Sequence, residues 1–229
     1  MKIAKIGEIH QEGLKLIQQD RYEIIDVMDT SKANLKKTLF DVDAIAIRTT
    51  QLSSDVLEGC KKLKIVSRHG VGIDSVDIKY LNQRKIPLAI TGTSNAVSVA
   101  EHAMMMMLSL SRKVNDCDKL VRSNLFHKKK SISPTYELFK KNILILGYGR
   151  IGKELQKRCK AFDMNILIYD PYVNEKDINI LGCQKVDFEE GISKADYISL
   201  HLPLNKDTNS IISKKQFKKM KKTCFVINT

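Results

Sequence analysis

Three glycines within six residues are the part of this sequence with the clearest chemistry. Gly147, Gly149 and Gly152 follow an apolar run, Asn142 to Leu146, and precede a stretch of helical period, Lys153 to Lys160. Gly147 would permit a tight turn, Gly149 would let the backbone approach a ligand, and Gly152 would let helix and strand pack closely. The N–H groups and the positive dipole end of such a helix favour an anion. The spacing therefore predicts a site for paired phosphates.

A single carboxylate indicates which phosphate compound fits. Asp170 ends the next apolar run, Ile166 to Tyr169, and lies about 20 residues beyond the glycines, as the acid of a dinucleotide site does. It can accept hydrogen bonds from both ribose hydroxyls and would repel a 2′-phosphate, so we predict NAD rather than NADP as the cofactor. A glycine turn without a ligand is the alternative, but such a turn needs fewer than three glycines.

The elements that must position these residues follow from hydrophobic periodicity. Short apolar runs alternate with stretches of helical period, such as Glu12–Gln19 and Val76–Arg84, which is typical of parallel sheets covered on both faces. We predict an α/β protein with two doubly wound parallel-sheet domains, residues 1–93 and 94–229. The predicted strands are Ile3–Ile6, Tyr22–Val27, Ala44–Ile47, Leu63–Val66, Pro87–Ile90, Ile143–Leu146, Ile166–Tyr169, Gln184–Val186, Tyr197–His201 and Phe225–Thr229.

A long helix is predicted after the first domain. Ser98 and Glu101 have the spacing of a capping box, so the helix should begin there and continue to about Arg112. Its four consecutive methionines, Met104 to Met107, cannot all face one core. Either the helix is buried all round, which we predict, or its second face meets another domain or subunit.

Composition and charge exclude several classes of protein. The chain is 43% hydrophobic and 28% charged, which excludes a disordered or collagen-like chain. It has no apolar run long enough to span a bilayer and no signal-like N-terminus, so we expect a cytoplasmic location and no membrane partner. Its 5 cysteines are scattered, and we expect neither a disulfide framework nor a metal site.

The net charge of +13 partly reflects a lysine run from Lys214 to Lys222. Phe217 and Met220 would form the apolar stripe of a surface helix there, with the lysines on its solvated face. A basic patch that binds phosphates is the alternative, but the run contains no Arg and no aromatic residue besides Phe217. We therefore expect no nucleic-acid partner.

Five motifs together resemble the D-isomer-specific 2-hydroxyacid dehydrogenases, most closely their phosphoglycerate dehydrogenase branch. The motifs occur in the family's order over nearly the whole chain. They are Leu63–Asp77 with its Gly70-Val71-Gly72, Val97–Arg112 with its Val99-Ala100-Glu101-His102, Gly147–Gly152, Tyr169-Asp170-Pro171, and Asp196–Asn209 with its His201-Leu202-Pro203-Leu204 and Thr208.

The resemblance implies a flavodoxin-like substrate domain in residues 1–93 and a Rossmann NAD domain in residues 94–229, incomplete at its C-terminus. It implies hydride transfer between NAD and a D-2-hydroxy acid, for this branch 3-phosphoglycerate, whose oxidation to 3-phosphohydroxypyruvate belongs to serine biosynthesis. Glyoxylate, hydroxypyruvate and D-lactate remain alternative substrates. The long helix implies a homodimer or a higher oligomer.

The resemblance also assigns residues to ligands. The N–H groups of Val71 and Gly72 would hold the substrate carboxylate, although Ser75 stands where the family usually has Asn. Arg48 would bind the substrate phosphate through its guanidinium, and could equally be a solvated strand end. The implied cofactor contacts are Val71, Gly147, Gly149, Arg150, Ile151, Gly152, Asp170, Leu202, Pro203, Thr208 and Thr229.

The family's catalytic Arg, Glu and His have no counterpart in residues 1–229. Asn228 and Thr229 match the start of the block that carries the Arg, so we expect a C-terminally truncated member with no catalytic residue and little or no activity of its own. His201 is an alternative base, but it matches a position that the family uses for packing and cofactor contact. A non-enzymatic, corepressor-like NAD-binding protein is the alternative from another class, which nothing beyond charge favours.

Overall fold

The computed structural model describes residues 1–19, 22–92 and 94–229. The chain divides into two compact units, Met1–Ser94 (unit 1) and Asn95–Thr229 (unit 2). The boundary that we predict after Thr93 falls on a residue outside the described ranges. Within those ranges, no helix has both the length and the apolar character that crossing a membrane requires.

Unit 1 is a parallel sheet of five strands in the order β2-β1-β3-β4-β5. Its strands are β1 (Lys2–Ile6), β2 (Glu23–Val27), β3 (Ala44–Ile47), β4 (Ile65–Arg68) and β5 (Leu88–Ile90), and its helices are α1 (Gln11–Gln19), α2 (Lys32–Thr38), α3 (Ser54–Leu57) and α4 (Ile78–Gln83). This is the flavodoxin-like order, in which the direction of winding reverses between β1 and β3. Ile6, Ile45 and Ile47 are fully buried at the centre of the sheet.

Unit 2 is a second parallel sheet, in the order β10-β9-β6-β7-β8. Its strands are β6 (Asn142–Leu146), β7 (Asn165–Tyr169), β8 (Gln184–Lys185), β9 (Tyr197–Leu200) and β10 (Phe225–Asn228). Its helices are α5 (Ala96–Arg112), α6 (Val114–Arg122), a 3-10 helix (Phe126–Ser131), α7 (Arg150–Ala161), α8 (Glu175–Asn179), α9 (Phe188–Lys194) and α10 (Lys214–Lys219). This is the Rossmann order, so the predicted fold class is confirmed for both units.

Strand β4 differs from its predicted range. It begins at Ile65 rather than Leu63 and continues to Arg68. The N–H of Leu63 instead donates to the carbonyl of Cys60, which closes a turn before the strand. The two extra residues at the other end place Arg68 at the carboxyl edge of the sheet, beside the glycine loop that follows.

The capping box predicted at Ser98 and Glu101 is wrong. Helix α5 begins at Ala96 with Asn95 as its N-cap, so both residues lie inside the helix. The Glu101 carboxylate instead forms an ion pair with Arg158 on α7, at 2.9 Å. Glu101 therefore pairs with a side chain on another helix and does not cap the backbone of its own helix.

The four methionines of α5 divide between two environments, so complete burial of this helix is wrong. Met104 and Met107 are buried, whereas the side chain of Met105 is 46% exposed. Successive helical residues point about 100° apart, so one core contacts only part of the run.

The lysine run forms a shorter helix than predicted, with a different buried face. Helix α10 ends at Lys219, its buried residue is Gln216, and Phe217 is 58% exposed. Gln216 is held by a capping box with Ser213. Lysines of the run form ion pairs within unit 2: Lys215 and Lys219 with Glu189, and Lys221 with Asp196.

Candidate cofactor and substrate sites

The glycine turn of unit 2 joins β6 to α7. Gly147 is buried, has a φ of +91°, and donates its N–H to the carbonyl of Tyr169 at 3.0 Å. A Cβ at this position would lie 2.6 Å from the carbonyl oxygen of His201. Both the backbone conformation and the packing therefore require glycine at Gly147.

The other two glycines differ in what surrounds them. A Cβ on Gly152 would overlap the carbonyl oxygen of Gly147, so close packing of helix on turn explains this residue. Gly149 is the exposed N-cap of α7, and a Cβ there would meet nothing within 4 Å. Packing within the protein does not require glycine at Gly149, whereas an anion that approaches the first N–H groups of α7 would. Arg150 and Ile151 supply the first helical N–H groups beside it. The turn therefore fits a dinucleotide pyrophosphate.

Asp170 is hydrogen-bonded to the same turn. Its Oδ2 accepts the N–H of Tyr148 at 2.8 Å, and its Oδ1 accepts the N–H of Tyr172 at 2.9 Å. Each carboxylate oxygen keeps a further lone pair. Asp170 is thus held in place by backbone N–H groups and can still accept the hydroxyls of a ribose. The structure brings it together with Gly147, Gly149, Arg150, Ile151 and Gly152.

The segment after β9 borders the turn. A side-chain atom of Leu202 lies 3.0 Å from the position of a Cβ on Gly147. The Thr208 hydroxyl donates to the carbonyl of Pro203 and so closes the loop between them. Leu202, Pro203 and Thr208 line a cleft of about 470 Å³, together with Asn228 at the end of β10. Thr229, the remaining predicted contact in unit 2, follows Asn228 and is exposed.

His201 has the environment of a packing residue. Its Nε2 lies 2.8 Å from the buried hydroxyl of Ser199, and its Nδ1 is buried without a hydrogen-bond partner in the described part of the chain. Burial lowers the pKa of this imidazole from 6.5 to about 4. Such a group is neutral and weakly basic at neutral pH, which does not suit a general base.

The predicted carboxylate site of unit 1 lies on the loop between β4 and α4. The loop is tethered where it begins, because Thr91 donates its N–H to the carbonyl of Gly70 at 3.2 Å. It is tethered again where it ends, because Leu52 donates to the carbonyl of Ser75 at 2.7 Å. Between these points, the N–H groups of Val71 and Gly72 donate to no acceptor among the described residues. Two free N–H groups on a fixed loop can receive a carboxylate.

Arg68 supports this loop and is not among the predicted site residues. Its Nε donates to the Ser75 hydroxyl at 3.4 Å, and Ser75 is only 9% exposed. A Cβ on Gly70 would overlap the Arg68 guanidinium, which therefore lies against the glycine backbone. In the sequence, the only signal is an Arg placed directly before a glycine loop.

Arg48 lies elsewhere on the same edge of unit 1. It is exposed, directly follows β3, and lines a cleft of about 550 Å³ with His69 and His10. No group of three or more His, Cys, Asp or Glu side chains in the described ranges is placed to hold a metal ion.

A comparison with known protein families assigns a family to the second unit. Residues 104–229 match the family described as D-isomer specific 2-hydroxyacid dehydrogenase, NAD binding domain. A solved structure similar to the whole chain is the NAD-dependent formate dehydrogenase of Staphylococcus aureus in complex with NAD. It is 30% identical with a TM-score of 0.88, over 100% of this chain and 73% of that chain.

Two curated proteins are similar along the chain. The D-3-phosphoglycerate dehydrogenase of Archaeoglobus fulgidus is 34% identical over 229 residues, which are 100% of this chain and 43% of that protein. The hydroxypyruvate reductase of Thermotoga maritima is 34% identical over 222 residues, which are 96% of this chain and 71% of that protein. The chain thus spans less than half the length of the first relative.

Proposed function

Because the chain belongs to the D-isomer-specific 2-hydroxyacid dehydrogenase family, we propose that unit 2 holds NAD on the glycine turn and that unit 1 holds the carboxylate of a 2-hydroxy acid. One observation carries the proposal. Gly149 leaves open space at the start of α7, and Asp170 is hydrogen-bonded to the residue next to it, Tyr148. An anion site and a ribose acceptor are thereby part of one rigid turn.

The cofactor contacts follow from this arrangement. The N–H groups at Gly149, Arg150 and Ile151 would hold the pyrophosphate, and Asp170 would accept the ribose hydroxyls. We assign further contacts with the cofactor to Leu202, Pro203, Thr208 and Thr229, which belong to the same unit as the turn. NAD, when bound, supplies a hydride acceptor at its nicotinamide ring.

The substrate that we favour is 3-phosphoglycerate, oxidised to 3-phosphohydroxypyruvate. Val71 and Gly72 would bind its carboxylate through their free N–H groups, and Arg48 would bind its phosphate. The oxidation removes a hydride from C2 and a proton from the C2 hydroxyl. Arg48 supports a phosphorylated substrate over glyoxylate, hydroxypyruvate or D-lactate, because a guanidinium matches a phosphate in charge and geometry.

Residues 1–229 hold ligands in this proposal but do not move the proton. None of them matches the family's catalytic Arg, Glu or His, and His201 is a weak, half-buried base. We expect a polypeptide of residues 1–229 to bind NAD without turning over 3-phosphoglycerate.

Titration calorimetry with NAD and NADP tests the cofactor assignment. We expect NAD to bind at least about tenfold more tightly than NADP, because charged hydrogen bonds of Asp170 to the ribose are exchanged for repulsion of a 2′-phosphate. Equal affinities, or no heat with either nucleotide, would contradict the proposal.

A further inference from the structure

A second cleft of unit 2 lies at the edge of the sheet opposite to the glycine turn, and its volume is about 220 Å³. The lining residues are Tyr136, Lys141, Asp196, Tyr197, Thr223 and Phe225. Tyr197 and Phe225 are the paired first residues of β9 and β10, and Lys141 directly precedes β6. The glycine turn follows the last residue of β6, so the length of a strand separates this amino-edge cleft from the cofactor site that we propose.

Aromatic rings form one wall of the amino-edge cleft. The rings of Tyr197 and Phe225 stack with their centroids 5.5 Å apart at an interplanar angle of 24°. The hydroxyl of Tyr197 lies 2.6 Å from the buried hydroxyl of Ser111, which itself donates to the carbonyl of Met107. Tyr197 is therefore the donor to Ser111, and its ring is fixed. Phe225 packs on this fixed ring but is only half-buried, so it offers a flat apolar surface to a ligand.

Two lysines give this apolar wall a positive charge. The Nζ of Lys113, which joins α5 to α6, lies 6.0 Å from the ring centroid of Phe225. The Nζ of Lys141 lies 6.0 Å from the ring centroid of Tyr136. Neither ammonium forms an ion pair anywhere in the residues that the structure describes. A ring near the limiting distance for a cation–π contact replaces an anion only weakly, so both lysines can still bind one.

Asp196 also lines the cleft, but its charge is compensated. Its Oδ1 binds the ammonium of Lys221 at 2.8 Å, and its Oδ2 accepts the N–H of Asn142 at 2.8 Å. The cleft therefore keeps the positive charge of Lys113 and Lys141. Thr223 is exposed at the same place, and its hydroxyl can donate a further hydrogen bond.

We propose that the amino-edge cleft binds a carboxylate attached to a single aromatic ring. The ring lies against Phe225 and Tyr136. The carboxylate binds the ammoniums of Lys113 and Lys141 and the hydroxyl of Thr223. A volume of about 220 Å³ is below the roughly 300–1,000 Å³ of clefts that take drug-sized ligands, so one ring fits better than two. The inference does not depend on the proposed function, because no residue of the proposed cofactor and substrate sites takes part.

Benzoate is the suitable probe because it combines one ring with one carboxylate. We expect ligand-observed NMR with the 229-residue chain, at pH 7 and low salt, to show saturable binding with a dissociation constant of about 1 mM or below. Benzamide lacks the charge and acetate lacks the ring, so each should bind at least about tenfold more weakly. Saturating NAD should leave the affinity for benzoate unchanged, since the two sites lie at opposite edges of the sheet.

Variants assign the binding to named side chains. Lys141→Gln and Lys113→Asn should each weaken benzoate binding about threefold, and the double variant about tenfold. Asn is chosen at position 113 because its φ of +54° lies in the left-handed region, which Asn tolerates. Tyr136→Leu removes an exposed ring without touching the core and should weaken binding about threefold. Lys129→Gln is the matched control, since its Nζ lies 5.1 Å from the Phe126 ring centroid outside the cleft, and it should leave the affinity unaltered.

Each outcome decides the inference, with circular dichroism showing that the variants are folded. The expected pattern is binding that needs both ring and charge, falls in the cleft variants and persists in Lys129→Gln. Absence of benzoate binding, an unchanged affinity in the double variant, an equal loss in Lys129→Gln, or competition by NAD would overturn it. Displacement of benzoate by oligothymidylate would assign the cleft to single-stranded nucleic acid, which also combines rings with anions, and would overturn it as well.

Discussion

The Asp170 carboxylate accepts the backbone N–H of Tyr148 at 2.8 Å, across 22 residues of sequence. Tyr148 lies between Gly147 and Gly149, so the acid that we assign to the ribose also fixes the turn that we assign to the pyrophosphate. Cofactor selectivity and turn geometry are therefore coupled through one side chain.

Asp170→Asn should weaken NAD binding by about ten- to a hundredfold, because the charged hydrogen bonds to the ribose become neutral ones. The affinity for NADP should fall less, because the repulsion of its 2′-phosphate also disappears. Calorimetric titration with both nucleotides measures the change. Asp163→Asn, an exposed position with the same change in charge, is the control and should leave both affinities unaltered. Unchanged selectivity in the Asp170→Asn protein would show that Asp170 does not contact the cofactor.

Gly152→Ala should destabilise unit 2 by roughly 2–3 kcal/mol, because the new methyl group overlaps the Gly147 carbonyl oxygen in a rigid strand-to-helix junction. Urea unfolding followed by circular dichroism measures the change in the free energy of unfolding. Gly59→Ala is the control, since nothing lies within 4 Å of a Cβ there. Equal stability of Gly152→Ala and the unchanged protein would show that the close contact is absent.

Arg68→Met should loosen the loop at Val71 and Gly72 without unfolding unit 1. It removes the donor to Ser75 and the guanidinium that lies against Gly70, and should cost about 1 kcal/mol of stability. Hydrogen–deuterium exchange should accelerate at the Thr91 and Leu52 amides, whose hydrogen bonds to Gly70 and Ser75 tether the loop. Arg84→Met, whose guanidinium contacts Tyr80, provides a matched substitution elsewhere in unit 1. Exchange as slow as in the unchanged protein would contradict a supporting role for Arg68.

The half-buried imidazole of His201 should make the free energy of unfolding depend on pH. The folded protein keeps this group neutral down to its pKa of about 4, whereas an unfolded chain takes up the proton near pH 6.5. The unfolded state thus binds more protons between these values, and the free energy of unfolding falls as the pH decreases. The loss between pH 7 and pH 5 should be about 1–2 kcal/mol.

His201→Gln should remove the 201 side chain's contribution to the fall in the free energy of unfolding between pH 7 and pH 5. A glutamine can keep the contact with Ser199 but does not titrate. Urea unfolding of both proteins at pH 7 and pH 5 isolates the contribution of His201, because the carboxylates contribute equally to the pH dependence of both. Parallel decreases in the two proteins would show that His201 is not held neutral by burial.

Much of unit 2 is predictable from local pattern, for a physical reason. Ile143 to Leu146 are all buried, as expected for a central parallel strand covered on both faces, so they form an uninterrupted apolar run. The run leads directly into the glycines. Strand, turn and helix therefore follow from adjacent residues, and no distant contact is needed to recognise them.

Long-range partners account for what the pattern does not predict. Ser98 and Glu101 match a capping box, but Glu101 binds Arg158, 57 residues away on another helix. Arg68 lies beyond the predicted end of its strand, and its guanidinium meets Ser75 only because the following loop folds back. The buried side of α10 depends on Gln216, which reaches both Ser213 and Glu189. Spacing along the chain does not encode such contacts.

The most direct test of the account is the affinity of Gly149→Ala for NAD. A methyl group at Gly149 meets no protein atom within 4 Å, so the free energy of unfolding should stay within about 1 kcal/mol of the original value. It would occupy the space assigned to the pyrophosphate, and calorimetry should show NAD binding at least about tenfold weaker. A stably folded Gly149→Ala protein that binds NAD as tightly as the original chain would contradict the central claim.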